Sequence, residues 1–536
     1  MKRIIYAFMF IAMGLVAFQA QAQTRYLDEI FSGVTKTDSL VYSDNVSIFP
    51  VIASGGMAMP AQVPKFMTIY EPAGDTASER PAIILCHSGT FFPAIVNGGF
   101  TGNRNDSLLV EIANRFARQG YVVACIDNRL GWNLTGNIDA QRETILEAAY
   151  RGIQDLRAAI RYLRKTEAED GDPYGLDPNK IVTGGSGTGG YLVYGACFLK
   201  RYEQTELLKF FNFNTNPPTP YLDTAIVGDP YGLQLKTLNV PQNPTYSSDF
   251  NVGFALGGAL GDISWMEAGD PPILSVHSPG DQFAPYNLAN VLEPIQDLSV
   301  IDTAAGGFAV VKRANELGNN DIWKDLDWRD PYNKAAAALN ASLGQTGVDG
   351  LYPLGIPSSG AFSQCITSIP GAPADSATED IAPYDWIDST TFVNAYTGQI
   401  TGEERYCQIT LNNPNDPVIA RTYIDSVVGY LSPRIAFALG VVAESDVAIP
   451  ASNDDELASQ LSIYPNPAQD QLNIVLDGLQ QIDEVTVMNT NGQIVRQLQN
   501  VRTTRLQIDR EGLTSGMYLI KVRSGDLVTH QKILFE

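Results

Sequence analysis

The feature that most restricts the fold is a run of glycines, Gly184-Gly185-Ser186-Gly187-Thr188-Gly189-Gly190. It follows a short apolar run, Ile181-Val182-Thr183, and precedes a helix-like stretch from Tyr191 to Leu199. Strand, tight turn and helix in that order need residues that tolerate strained backbone and close approach of a neighbouring chain segment, which glycine supplies. A G-x-S-x-G turn in such a place presents a nucleophilic hydroxyl. Two registers are open. In Gly185-Ser186-Gly187-Thr188-Gly189 both outer glycines fit, and the nucleophile position is Gly187, which has no side chain. If Ser186 is the nucleophile, the turn is Gly184-Gly185-Ser186-Gly187-Thr188 and a Thr replaces the second glycine.

The flanking sequence sets the fold class. Leu40 to Pro50 and Val63 to Tyr70 read as early strands. Ala82 to Cys86 and Tyr121 to Ile126 are continuous apolar runs, the mark of strands buried on both faces. Thr224 to Val227 and Ile273 to Val276 are further strand candidates. Ser107 to Gln119 has helical spacing, and Arg142 to Lys165 is amphipathic, with Ile145, Ala148, Ile153, Leu156, Ile160 and Leu163 on one side. Alternating strand and helix predict an α/β fold with a mostly parallel sheet flanked by helices. Such sheets carry their sites at the C-terminal strand ends. Here these are His87-Ser88-Gly89, Asp127-Asn128-Arg129, the glycine turn, and His277 through Asp281.

The ends of the chain differ from its middle. Lys2-Arg3, an apolar stretch from Ile4 to Phe18 and Ala20-Gln21-Ala22 read as a signal peptide over residues 1–22, with the mature chain starting at Gln23 and no membrane anchor retained. A net charge of -23, carried by scattered acidic residues, argues against nucleic acid or an anionic membrane as partner. Residues 23–441 form the α/β part, with weak periodicity from Asp302 to Asp416 that suits a cap or insertion. Ala420 to Leu439 recovers helical spacing, which Pro433 should kink or divide. Residues 442–460 hold few large apolar groups and read as a linker. Residues 461–536 show short alternating strands separated by turns, which predicts a small β-sandwich. Cys86, Cys125 and Cys197 read as buried thiols, and Cys365 and Cys407 are expected to pair. Three dispersed histidines and no paired-ligand spacing give no metal constellation, and no cofactor fingerprint fits.

Two resemblances follow from these residues. Tyr464-Pro465-Asn466-Pro467, Asn491-Gly492-Gln493 and Gly516-Met517-Tyr518-Leu519-Ile520-Lys521-Val522 resemble the C-terminal sorting domain of the type IX secretion system of Bacteroidota. That resemblance implies export through the type IX machinery and a secreted or cell-surface location. Val63 to Gly440 resembles secreted α/β-hydrolases of the carboxylesterase kind. The blocks that carry it are His87-Ser88-Gly89, Gly120 to Ala124, Gln154 to Ala159, Tyr174 to Ile181, the glycine turn and Pro271 to Asp281.

The hydrolase resemblance implies a site, position by position. Relatives carry G-G-S-S-A-G-G at the turn, with the second Ser as nucleophile, which puts Gly187 in the nucleophile column and Ser186 in the column before it. Asp281 fills the acid column. The oxyanion donors would be the backbone N–H groups of Thr188 and of the Ser88-Gly89 loop. The base should follow the acid and precede the last helix, yet His530 is the sole histidine after Asp281 and lies in the sorting domain. His87 and His277 read as residues bracing loops, and Asp281 is also readable as a carboxylate capping backbone N–H groups. A serine without a base is a weak nucleophile. The expectation is therefore an exported, esterase-like protein that is catalytically degenerate and binds a small-molecule or ester ligand in the former substrate cleft. An active carboxylic-ester hydrolase using Ser186 and a surface structural or adhesive protein are the other readings.

Overall fold

The computed structural model describes residues 24–97, 101–281, 283–292, 299–354, 382–386, 417–448, 457, 460–466, 468–476, 481–489, 494–525 and 527–535. The chain divides into two compact units. The larger runs to Val447, apart from Leu326–Trp328, which belong with the smaller unit, Ala448–Glu536. The signal peptide, Cys365 and Cys407 lie outside the described residues.

The larger unit is built on eight strands: β1 (Val34–Ser47), β2 (Ala61–Pro72), β3 (Arg80–Cys86), β4 (Val122–Ile126), β5 (Leu176–Ser186), β6 (Val252–Leu256), β7 (Ile273–His277) and β8 (Leu351–Pro353). Their order is β1-β2-β4-β3-β5-β6-β7-β8. β2 pairs antiparallel with β1 and β4, and the remaining pairs are parallel. Every residue of β3 and β4 is buried, as continuous apolar runs require when both faces are covered.

Six helices matter for the site: α1 (Ser107–Gln119), α2 (Ile138–Glu169), α3 (Thr188–Phe198), α4 (Gly307–Glu316), α5 (Pro331–Ser342) and α6 (Pro417–Ala438). The apolar stripe of α2, with Leu156 and Ile160, joins Val193 of α3 and Val310 of α4 in one core with Ile84, Ala124 and Ile126 of the sheet. The opposite face is covered by α1 and α6, where Phe116 lies 6.4 Å from Phe254 and Tyr430 lies 5.2 Å from Tyr352, ring centre to ring centre. Asn137 caps α2 by accepting the Ala140 N–H at 2.9 Å.

One local expectation is corrected, one strand is added to those expected, and of a kink or a division at Pro433 the division is excluded. Thr224–Val227 is a short helix and not a strand, because the Asp223 carboxylate caps it through the Ala225 N–H at 2.8 Å. β6 has no counterpart among the expected strands. Its Gly253 breaks the apolar run, and a Cβ there would stand 2.7 Å from Cys197 Sγ. Pro433 does not divide α6. The residue four before it is Gly429, and the Tyr430 carbonyl accepts the Arg434 guanidinium at 2.7 Å.

In the smaller unit β9 (Leu461–Tyr464), β10 (Gln471–Leu476), β11 (Ile482–Asn489), β12 (Ile494–Thr503), β13 (Arg505–Asp509), β14 (Gly516–Ser524) and β15 (Leu527–Phe535) form two antiparallel sheets. Their orders are β9-β10-β13 and β12-β11-β14-β15. Inward residues from both, among them Ile463, Leu472, Ile474, Val485, Val487, Ile508, Ile520 and Ile533, make one core.

Candidate active site

The glycine run forms the turn between β5 and α3. Gly187 lies at its tip with φ 52° and ψ −116°, backbone that residues with a Cβ avoid. Its N–H donates to the Leu256 carbonyl at 2.9 Å and its carbonyl accepts the Gly190 N–H at 2.9 Å. A Cβ on Gly187 would overlap Ser88 Oγ and stand 3.1 Å from Ser88 Cβ. Gly189 allows α3 to start against the end of β3, since a Cβ there would overlap the Cys86 carbonyl oxygen.

Ser186 points the other way. It is 4 % exposed. With Leu85, Leu108, Leu109, Ile112, Phe254 and Leu256 it lines a cavity of about 10 Å³ under α1, at most the size of a single water. Sheet register adds a juxtaposition that the sequence did not disclose. Cys86 of β3 pairs with Gly185 of β5 and with Ile126 of β4. By continuation, Ser186, His87 and Asp127 follow in one row on one face of the sheet. No hydrogen bond joins them. The Asp127 carboxylate accepts the Arg104 N–H at 2.9 Å and its guanidinium at 2.5 Å.

Each histidine of the larger unit is committed to its loop. The His87 Nδ1 lies 2.5 Å from the Ser88 carbonyl oxygen, so we assign the proton to Nδ1. Its Nε2 is buried and has no partner among the described residues. Burial pushes the His87 pKa down, with the Asp127 charge opposing, so the ring is neutral at physiological pH. His277 Nδ1 accepts the Gly307 N–H at 3.0 Å, which leaves the proton on Nε2, donated to Asp281 Oδ2 at 3.1 Å. Asp281 Oδ1 accepts the N–H groups of Phe283 and Ala284 at 2.8 and 2.9 Å. Both nitrogens of His277 are therefore used, and Asp281 caps its own loop. The backbone donors stand apart from this. Among the described residues nothing accepts the N–H groups of Ser88, Gly89 or Thr188. Gly89 has φ 114° and packs so close to Gly102 that a Cβ would stand 2.6 Å from the Gly102 Cα. The structure thus gathers Ser88, Gly89, Gly187 and Thr188 at the strand ends, with His277 and Asp281 at the end of β7. Ser186 and the His87 ring turn inward. Among the described residues no group of three or more His, Cys, Asp or Glu side chains could hold a metal ion.

Residues 67–294 match the family model described as BD-FAE, an esterase-like α/β-hydrolase family. Residues 462–536 match the model described as the secretion system C-terminal sorting domain. The chain carries an esterase-like α/β-hydrolase domain and a type IX sorting domain. No curated protein matches it. Among solved structures, Thermogutta terrifontis esterase 2 phosphorylated by paraoxon is 20% identical over 48% of this chain and 74% of its own, with a TM-score of 0.27. The apo form of that esterase is 19% identical over 48% of this chain and 75% of its own, with a TM-score of 0.26. The sorting domain makes this a secreted or cell-surface protein that engages the secretion machinery. Among the described residues no helix is long and apolar enough to cross a membrane. The hydrolase match ends at residue 294, short of β8.

Proposed function

We propose that the hydrolase domain is catalytically degenerate and binds a small-molecule or ester ligand in the former substrate cleft of an exported protein. The observation that carries this is the pairing of Gly187 at the elbow tip with a His277 whose two nitrogens are already engaged. The sequence supplies no histidine between Asp281 and His530, so nothing replaces it. Loss of a triad Ser or His alone costs about a million-fold in a comparable enzyme. What remains is a set of backbone donors suited to hold a carbonyl or carboxylate oxygen.

The test is the specific activity of the mature protein toward an activated short-chain ester. Wild type and Ser186→Ala are both expected at background. A second reading, an active hydrolase using Ser186, draws on the row of Asp127, His87 and Ser186. It requires ordinary turnover in wild type that disappears in Ser186→Ala, and that result would overturn the degenerate reading. Export is tested separately. Truncation after Asn453 should leave a folded hydrolase domain in the periplasm, because domains joined by a polar linker fold on their own. Cell fractionation that finds the truncated protein outside the cell would reject the sorting role.

A further inference from the structure

We propose that the Ser88 hydroxyl has taken over the place of the missing elbow nucleophile and is the atom at which activated acyl compounds attach to this protein. The inference rests on the degenerate-cleft reading and deepens it by naming the reacting atom and the chemical class of the ligand.

Three observations meet at Ser88. A side chain on Gly187 and the Ser88 hydroxyl compete for the same space, since the elbow Cβ would overlap Ser88 Oγ. A hydroxyl therefore stands where it would overlap the first atom of an elbow side chain, delivered from the end of β3 instead of β5. That hydroxyl is half-buried, unlike Ser186, and makes no hydrogen bond to any described residue. Finally, its backbone is held: the His87 Nδ1–H donates to the Ser88 carbonyl, and Gly89 is wedged against Gly102. The N–H groups of Gly89 and Thr188, the residues that follow Ser88 and Gly187, have no acceptor among the described residues. They are suited to the oxyanion that forms when an acyl carbon is attacked.

The step balances without a cofactor. The Oγ–C bond forms, the C–O bond to the leaving phenolate of an aryl ester breaks, and the Ser88 proton passes to water. No imidazole stands ready to activate a water for deacylation, so the acyl group stays. The missing base slows acylation as well as deacylation, so the expected behaviour is one slow release of leaving group per chain without turnover.

The probe is p-nitrophenyl acetate, applied to the full mature chain, followed by peptide mapping by mass spectrometry. A single acetyl group at Ser88 is expected, retained in Ser186→Ala and lost in Ser88→Ala with its fold checked by circular dichroism. Ser88→Cys, which keeps the size of the side chain, should carry the acetyl group on its thiol. This second variant tests the position if Ser88→Ala does not fold. Acetylation confined to lysines, no adduct, or labelling of Ser88 that persists in the heat-unfolded chain overturns the proposal and leaves the degenerate-cleft reading standing. An adduct on Ser186 accompanied by turnover overturns both.

Discussion

Asp385→Asn is expected to stabilise the hydrolase unit by ~4 kcal/mol at pH 8, an effect that shrinks to ~2 kcal/mol at pH 5 and vanishes at pH 3. Asp385 lies in the segment 382–386, between β8 and α6, and is 5 % exposed. Its N–H donates to the Ala382 carbonyl at 3.0 Å, and its carboxyl makes no hydrogen bond to a described residue. Burial pushes its pKa up to about 7 from the ordinary 3.8. The buried carboxylate of Asp106, which accepts the Gly102 N–H at 2.8 Å and the Asn103 N–H at 3.2 Å, is close enough for the two charges to repel. The sign follows from the raised value. Below pH 3.8 the group is neutral in both states and costs nothing. As pH rises toward 7, the unfolded chain gives up its proton while the folded chain holds on, so stability falls across that window. Asn has the same shape and never ionises, so it removes the slope. Urea unfolding at pH 5 and pH 8 reads the difference directly. Equal effects at the two values, or a loss of stability at pH 8, would show that Asp385 is not held neutral by burial.

The parts of the fold legible in the sequence were those whose pattern is local. β3 and β4 announced themselves as unbroken apolar runs, and α1 and α2 as helical stripes. The glycine turn gave the junction of β5 and α3 before any strand had a neighbour. The strands of the smaller unit that alternate cleanly, β10 and β14, were equally plain. What failed was whatever depends on a partner. β6 was hidden because Gly253 makes room for Cys197, 56 positions earlier in the chain. β8 is three residues long and gains its strand character from pairing with β7. β12 has no fully buried residue, and only its Leu498 and Val501 pack partly against the core, so no strong alternation marks it. The site divides in the same way. That Gly187, Ser186, His87 and Asp281 lie at strand ends could be read from the blocks around them. That Ser88 Oγ stands in the path of a Gly187 side chain could not, since the two residues come from different strands. Nor could the engagement of both His277 nitrogens, one of which depends on Gly307 at the start of α4. A Cβ at Gly307 would stand 2.8 Å from that nitrogen, a constraint with no trace in local sequence.

Asp155→Ala is expected to cost ~3–5 kcal/mol, the range for removing one partner of a buried ion pair. Arg129 follows the end of β4, and its side chain and that of Asp155 on α2 are both 0% exposed. Asp155 Oδ2 accepts the Arg129 N–H at 2.6 Å and Oδ1 accepts its Nε–H at 2.8 Å. The guanidinium also donates to the Leu238 carbonyl at 2.7 Å, the Gln154 side-chain oxygen at 3.0 Å and the Arg151 carbonyl at 3.1 Å. Without Asp155 those neutral acceptors stay, but the cation is left in the interior with no counter-charge and its backbone N–H loses a partner. Arg129→Met combined with Asp155→Leu removes both charges at once, so it should cost less than the sum of the single changes. A double-mutant cycle on urea-unfolding free energies isolates that coupling. The consequence reaches the site, because Asp127, Asn128 and Arg129 are the strand-end residues between β2 and β3. If the pair holds that end in place, Asp155→Ala should also lower acetylation of Ser88 in chains that remain folded, while Asp385→Asn leaves it unchanged. A single change costing under 1 kcal/mol, or costs that simply add, would mean the pair fills space without holding the strand end.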